Sequence, residues 1–258
     1  MFPFAFLVLW AGLVGLIAGS YLNVVIHRLP AGESTVTPRS RCPACHAPIR
    51  ALDNLPVLSY LLLGGRCRDC RAPISPRYPL VEAATGGIFA FAVARFGWTV
   101  DALAAALLSA LLVALAAIDL DHFLLPDRLT LPGLAAGLLL QPLLADGSLA
   151  RGFQGALLGA GVLLLLAGLW QLARGVEGMG LGDVKMLAMI GAFLGMSGVV
   201  VTLVVSSFAG SVAGLALIAR GRGGLASKLP FGVFLAAGGV VALFWGRGLA
   251  AAYLGLLR

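Results

Sequence analysis

Charge is scarce in this chain. Only 11% of its 258 residues are Asp, Glu, Lys or Arg, against about 25% in ordinary soluble domains. With 60% hydrophobic residues and a mean hydropathy of +1.00, a water-soluble globule is excluded and a multi-spanning membrane protein is expected. Basic residues are missing before the first apolar run, Met1 to Ile26, and follow it instead as His27 and Arg28. A cleavable signal peptide has the opposite charge order and a small-residue cleavage site. The run therefore reads as a retained span with its N-terminus outside. Cysteine is confined to four positions, and no glycine-rich nucleotide fingerprint of the kind expected after a strand is present.

What is there is apolar length, broken by charge, glycine and proline. Spans are expected at about 2–27, 78–94, 102–118, 129–145, 153–173, 183–194, 198–219 and 229–246. The fold class is thus an all-α polytopic membrane protein of about eight transmembrane helices. It carries one long polar insertion, 28–77, between the first helix (1–27) and the transmembrane core (78–258). Eight spans with the N-terminus outside leave four intervals inside: 28–77, 119–128, 174–185 and 220–228. Fourteen of the 18 lysines and arginines fall there, as the positive-inside rule requires. The net charge of +7 is explained by those loops, so no nucleic-acid partner is expected. The partner implied by composition is the lipid bilayer.

Two acidic sites stand at span ends on the same expected face. Asp183 closes Gly178-Met179-Gly180-Leu181-Gly182-Asp183, and Asp119, Asp121 and Asp127 follow the third span. An ionisable residue at membrane depth is costly and points to function. Two facing carboxylates can share a proton, one activating a water while the other polarises a carbonyl. Gly178, Gly180 and Gly182 would leave room for a substrate backbone. An aspartate at a helix start is also an ordinary cap, and spacing alone leaves both readings of Asp183 open. Of the first cluster, Asp127 reads as the N-cap of the fourth span, Asp121 as a loop acid, and Asp119, directly after Ile118, as the deepest. His122 reads as a loop residue.

Cys42, Cys45, Cys67 and Cys70 form two CxxC pairs in similar surroundings, Arg41-Cys42-Pro43-Ala44-Cys45-His46-Ala47-Pro48-Ile49 and Arg66-Cys67-Arg68-Asp69-Cys70-Arg71-Ala72-Pro73-Ile74. Two such knuckles can offer four thiolates to one tetrahedral zinc ion, with no open position and hence a structural role. Disulfides are the weaker reading in a cytosolic loop, and His46 is an alternative ligand. The insertion 28–77 is therefore expected to be a small cytoplasmic zinc-binding loop domain.

The segments Leu120 to Pro132 and Gly180 to Lys185 resemble the two signature regions of type IV prepilin peptidases, polytopic aspartic proteases of the GxGD class that are mechanistically similar to presenilin. Gly19 to Pro30, Asn54 to Tyr60 and Arg77 to Glu82 resemble further motifs of that family. The resemblance implies Asp119 and Asp183 as the catalytic pair and 78–258 as the peptidase core. It implies type IV prepilins or pseudopilins as substrates, cut before their apolar helix, in the bacterial inner membrane with the active site facing the cytoplasm. It also implies N-methylation of the new N-terminus with S-adenosylmethionine, whose site the spacing does not place; Glu82, at the start of the second span, is a candidate for the methylation site, or a partner of Arg77. One departure is Val233, where the resemblance leads one to expect a second proline after Pro230; the segment Leu229 to Phe234 is expected to be remote from the acids. An ion- or proton-coupled transporter is the reading from another class, and the absence of an inverted repeat of broken helices counts against it. A peptidase without methyl transfer is the third.

Overall fold

The computed structural model of the protein describes residues 3–175, 180–221 and 229–256. Gly178, Arg222, Lys228 and Arg258, which entered the glycine and charge patterns above, lie outside the described residues. The described part is helical, without strands: α1 (Phe4–Arg28), α2 (Leu58–Leu62), α3 (Arg77–Phe96), α4 (Val100–His122), α5 (Asp127–Leu140), α6 (Leu149–Arg174), α7 (Leu181–Ala219) and α8 (Phe231–Leu256). Two compact units divide it, Met1–Ala114 and Leu115–Arg258, with the boundary inside α4.

Among the described residues six helices, α1, α3, α4, α6, α7 and α8, are long and apolar enough to cross a bilayer. The expected eight separate spans are not all reproduced. α5 has 14 residues, about 21 Å of helix, which is short of a hydrocarbon core about 30 Å thick. The two spans expected at 183–194 and 198–219 lie within α7 as two helical halves that abut at Gly195.

α7 is interrupted at that point. Gly195 has φ 71° and ψ −173°, a conformation that glycine adopts without steric cost. The break strands the last carbonyls of the preceding half-helix. Gln141, fully buried, donates from Nε2 to the carbonyls of Ala192 and Phe193, each at 2.9 Å. Arg151 donates to the carbonyl of Leu194 at 3.3 Å. The half-helix so capped carries Asp183 at its other end. It is buried nearly all round, from Met186 through Phe193, as a helix apolar on every face must be.

In the first unit, α1 lies along α3. Its other face exposes Phe6, Leu9, Trp10, Leu13 and Ile17, an apolar stripe suited to lipid. In the second unit α7 packs on α5, α6 and α8.

Candidate active site

α4 does not end where the apolar run ends. It continues to His122, so Asp119 and Asp121 are helical residues rather than loop acids, and Pro126 marks the stop. Asp119 lies on the buried side of that last turn, 5% exposed, whereas Asp121 and His122 are exposed. Asp183 occupies the first turn of α7, where Gly180 is the N-cap and no side chain caps the helix. It is half-buried and within electrostatic range of Asp119. The structure therefore brings together the two acids singled out in the sequence.

A third element completes the site, and sequence reasoning placed it elsewhere. The segment Leu229 to Phe234 is not remote from the acids. The N–H of Val233 donates to Asp119 Oδ2 at 3.3 Å and is shared with the carbonyl of Pro230 at 3.3 Å. A Cβ on Gly232 would stand 2.8 Å from Asp119 Oδ2 and 3.0 Å from Leu125 Cδ2. The first turn of α8 thus presses backbone, not side chain, against the carboxylate, and a proline at 233 would have no N–H to offer. The legible signal was a glycine in the opening turn of an apolar helix, where nothing local requires one.

The glycines before Asp183 also differ from expectation. A Cβ on Gly182 would meet Leu125 Cβ at 2.9 Å, so this glycine lets α7 seat against the chain that follows α4. Among the described residues, a Cβ on Gly180 would meet only Gly182 N, at 3.9 Å. Asp127 is not the N-cap of α5 but its first residue, after Pro126. Its carboxylate accepts from Lys185 Nζ at 2.7 and 2.8 Å, tying the start of α5 to the first turn of α7. The sequence showed Lys185 only as a loop charge.

The cysteine repeat of the sequence is a structural repeat. Cys42 N–H donates to the carbonyl of Ala47, and Cys67 N–H to that of Ala72, both at 2.9 Å; His46 and Arg71 close each knuckle by donating back to Cys42 and Cys67. Both turn residues have positive φ, 58° and 59°. The four sulfurs all lie within 4.8 Å of one another, and His46 is not among the ligand atoms. Cys42 Sγ and Cys70 Sγ are 3.8 Å apart, the spacing of about 3.8 Å that a tetrahedral ion with bonds of about 2.3 Å demands. The backbone N–H groups of Cys45 and then Ala44 pull the Cys42 thiol down to about 7, while, against the pull of the Ala47 N–H, burial and the other three thiols push Cys45 up; four such neighbours ionise together only around a cation. Beside the knuckles, Arg68 grips Asp53 through two nitrogens at 2.6–3.1 Å, and that guanidinium holds the Asp53 carboxyl below the usual carboxylate range.

Glu82 is buried on α3 and accepts the Val57 N–H at Oε2, 2.7 Å away.

Comparison with known proteins agrees with this division. Residues 13–96 match the model of the Bacterial Peptidase A24 N-terminal domain, and 106–215 that of the Type IV leader peptidase family. The chain is 43% identical over 262 residues to a protein of Burkholderia pseudomallei (92% of this chain, 85% of the relative). It is 44% identical over 269 residues to one of Aeromonas hydrophila (94% and 92%). It is 40% identical over 275 residues to one of Pseudomonas aeruginosa (98% and 94%). Each of the three is named Prepilin leader peptidase/N-methyltransferase. No solved structure matches the chain.

Proposed function

The chain belongs to the type IV leader peptidase family and is a multi-pass membrane protein; on that premise we propose that it cuts the leader from type IV prepilins or pseudopilins with Asp119 and Asp183, and methylates the N-terminus so released. The observation that carries the peptidase half is that two acids, 64 positions apart in sequence, stand within electrostatic range of one another. Neighbouring carboxylates resist ionising together and hold one proton between them. The ionised one takes a proton from water as that water attacks the scissile carbonyl. The protonated one donates to the carbonyl oxygen, and a proton then passes to the leaving amine. Asp119 is supported for this by its backbone cradle on α8, and Asp183 by its half-buried place in the first turn of α7.

The positive-inside count supports a cytoplasmic active site in the bacterial inner membrane, where the apolar helix of the substrate enters from lipid. The donor set and sulfur spacing fit zinc, with Cys42, Cys45, Cys67 and Cys70 as ligands in a structural role; bound there, the ion would tie the two knuckles together. Methyl transfer draws on S-adenosylmethionine as co-substrate, by analogy with the named relatives. The test is direct. Purified protein in bilayer discs receives a prepilin and a methyl-labelled donor, and mass spectrometry reads leader loss and methyl gain. A prepilin left at full length rules out the peptidase assignment.

A further inference from the structure

Three sequence motifs take no part in the aspartate site, and they converge in the first unit. From the first, Asn23, buried on α1, donates to the carbonyl of Tyr78 at 3.0 Å. Gly19 on the same helix lies so close to α3 that a Cβ would stand 2.7 Å from Glu82 Cα. From the second, Val57 gives its N–H to Glu82. Tyr78 and Glu82 belong to the third. The meeting point is a carboxylate only 9% exposed, whose Oε2 takes the Val57 N–H and whose second oxygen, Oε1, is not among the fully buried unpaired atoms.

Two features make this more than a structural anchor. Val57 is β-branched yet has φ 61° and ψ −48°, a strained conformation that such a residue rarely adopts and that collects at functional sites. A carboxylate held this deep in the protein is costly unless a cation meets it. We propose that Glu82 and the Val57 backbone form the subsite that holds the α-ammonium of the freshly cut substrate chain for methylation. This rests on the methyl-transfer part of the function proposed above. An ammonium suits the site better than the sulfonium donor does, because it brings N–H groups for Oε1 and a proton to give up.

The step balances as follows. The ammonium passes one proton to Glu82 Oε1 and becomes an amine. The amine lone pair forms the N–C bond to the methyl group while the C–S bond of the sulfonium breaks, its electrons staying on sulfur. The product is a neutral thioether and a secondary ammonium, and Glu82 later returns its proton to water.

The experiment uses the full-length protein and Glu82→Gln, whose amide oxygen can still accept the Val57 N–H. We expect prepilin cleavage within about twofold of the parent and methyl incorporation reduced at least a hundredfold. A binding arm needs neither donor nor turnover: an apolar peptide with a free N-terminus should bind the parent at least tenfold more tightly than its N-acetylated form, and the two should bind E82Q alike. Methylation by E82Q at the parental rate overturns the proposal, as does loss of cleavage together with methylation, or a parent that binds both peptides equally. Weaker binding of S-adenosylmethionine to E82Q, with the amine preference intact, overturns it in favour of a donor site. A parent that cleaves but never transfers a methyl group refutes the functional reading instead, while the peptide comparison still decides whether an ammonium is bound.

Discussion

Gly232 stands so close to Asp119 that a single added carbon would lie 2.8 Å from its Oδ2. Gly232→Ala should therefore displace the carboxylate. We expect kcat for prepilin cleavage to fall at least tenfold with KM changed less, since the displaced group acts on the scissile bond in the transition state. The same Cβ would also press on Leu125, so Leu125→Ala in the G232A background separates the two causes. Activity that returns in the double variant would put the loss in packing against Leu125 rather than in Asp119.

Asp119→Ala and Asp183→Ala should each abolish cleavage while the protein still inserts, because neither half of a proton-sharing pair works alone. Asp121→Ala, at an exposed position, should be milder. A prepilin gel shift for the three variants in membranes is enough, and a dead D121A beside a live D119A would reverse the assignment.

The Lys185–Asp127 pair is partly solvated, with side chains 33% and 55% exposed, and pairs of that kind contribute about 0.2–1 kcal/mol. Asp127→Asn should lower Tm by no more than a few degrees and leave cleavage within about fivefold. Exchanging the two residues, D127K with K185D, should recover most of the Tm.

Removing any one of the four cysteine sulfurs leaves a tetrahedral ion a ligand short. Cys42→Ser, Cys45→Ser, Cys67→Ser or Cys70→Ser should each reduce bound zinc from one equivalent to well under half, by elemental analysis. Hydrogen exchange should rise across both knuckles together. Full zinc retention in any one variant would remove that cysteine from the ligand set.

Arg68 holds the Asp53 carboxyl below its usual range. A depressed acid contributes stability above its unfolded value, about 3.9, and that contribution disappears as pH falls through the lower folded value. Protection of the 51–74 backbone should thus be flat from about pH 5 to 8 and decline below about pH 4. In Asp53→Asn the decline should be smaller, leaving the part due to protonation of the cysteine sulfurs.

Local pattern was enough for much of this molecule. Apolar length marked the long helices. CxxC spacing and its repeat marked the sulfur cluster. Charge asymmetry and the acid motifs put Asp119 and Asp183 on one face. Helix ends were less legible: α4 runs one turn past its apolar stretch because backbone hydrogen bonding, not hydropathy, ends a helix. Asp127 looked like a cap because caps are read from residue type, whereas its partner Lys185 comes from another helix, 58 positions away.

By itself, then, the sequence determined that the chain is helical and membrane-embedded, that four thiols share a loop, and that two acids lie near one boundary. Each of these follows from composition or from spacing along the chain. Tertiary structure alone decided that α8 opens against Asp119 from 114 positions away, that Gln141 and Arg151 cap the break at Gly195, and that Val57 reaches Glu82. Those contacts depend on close backbone approach and on carbonyl and N–H groups that every residue carries, so no residue type announces them.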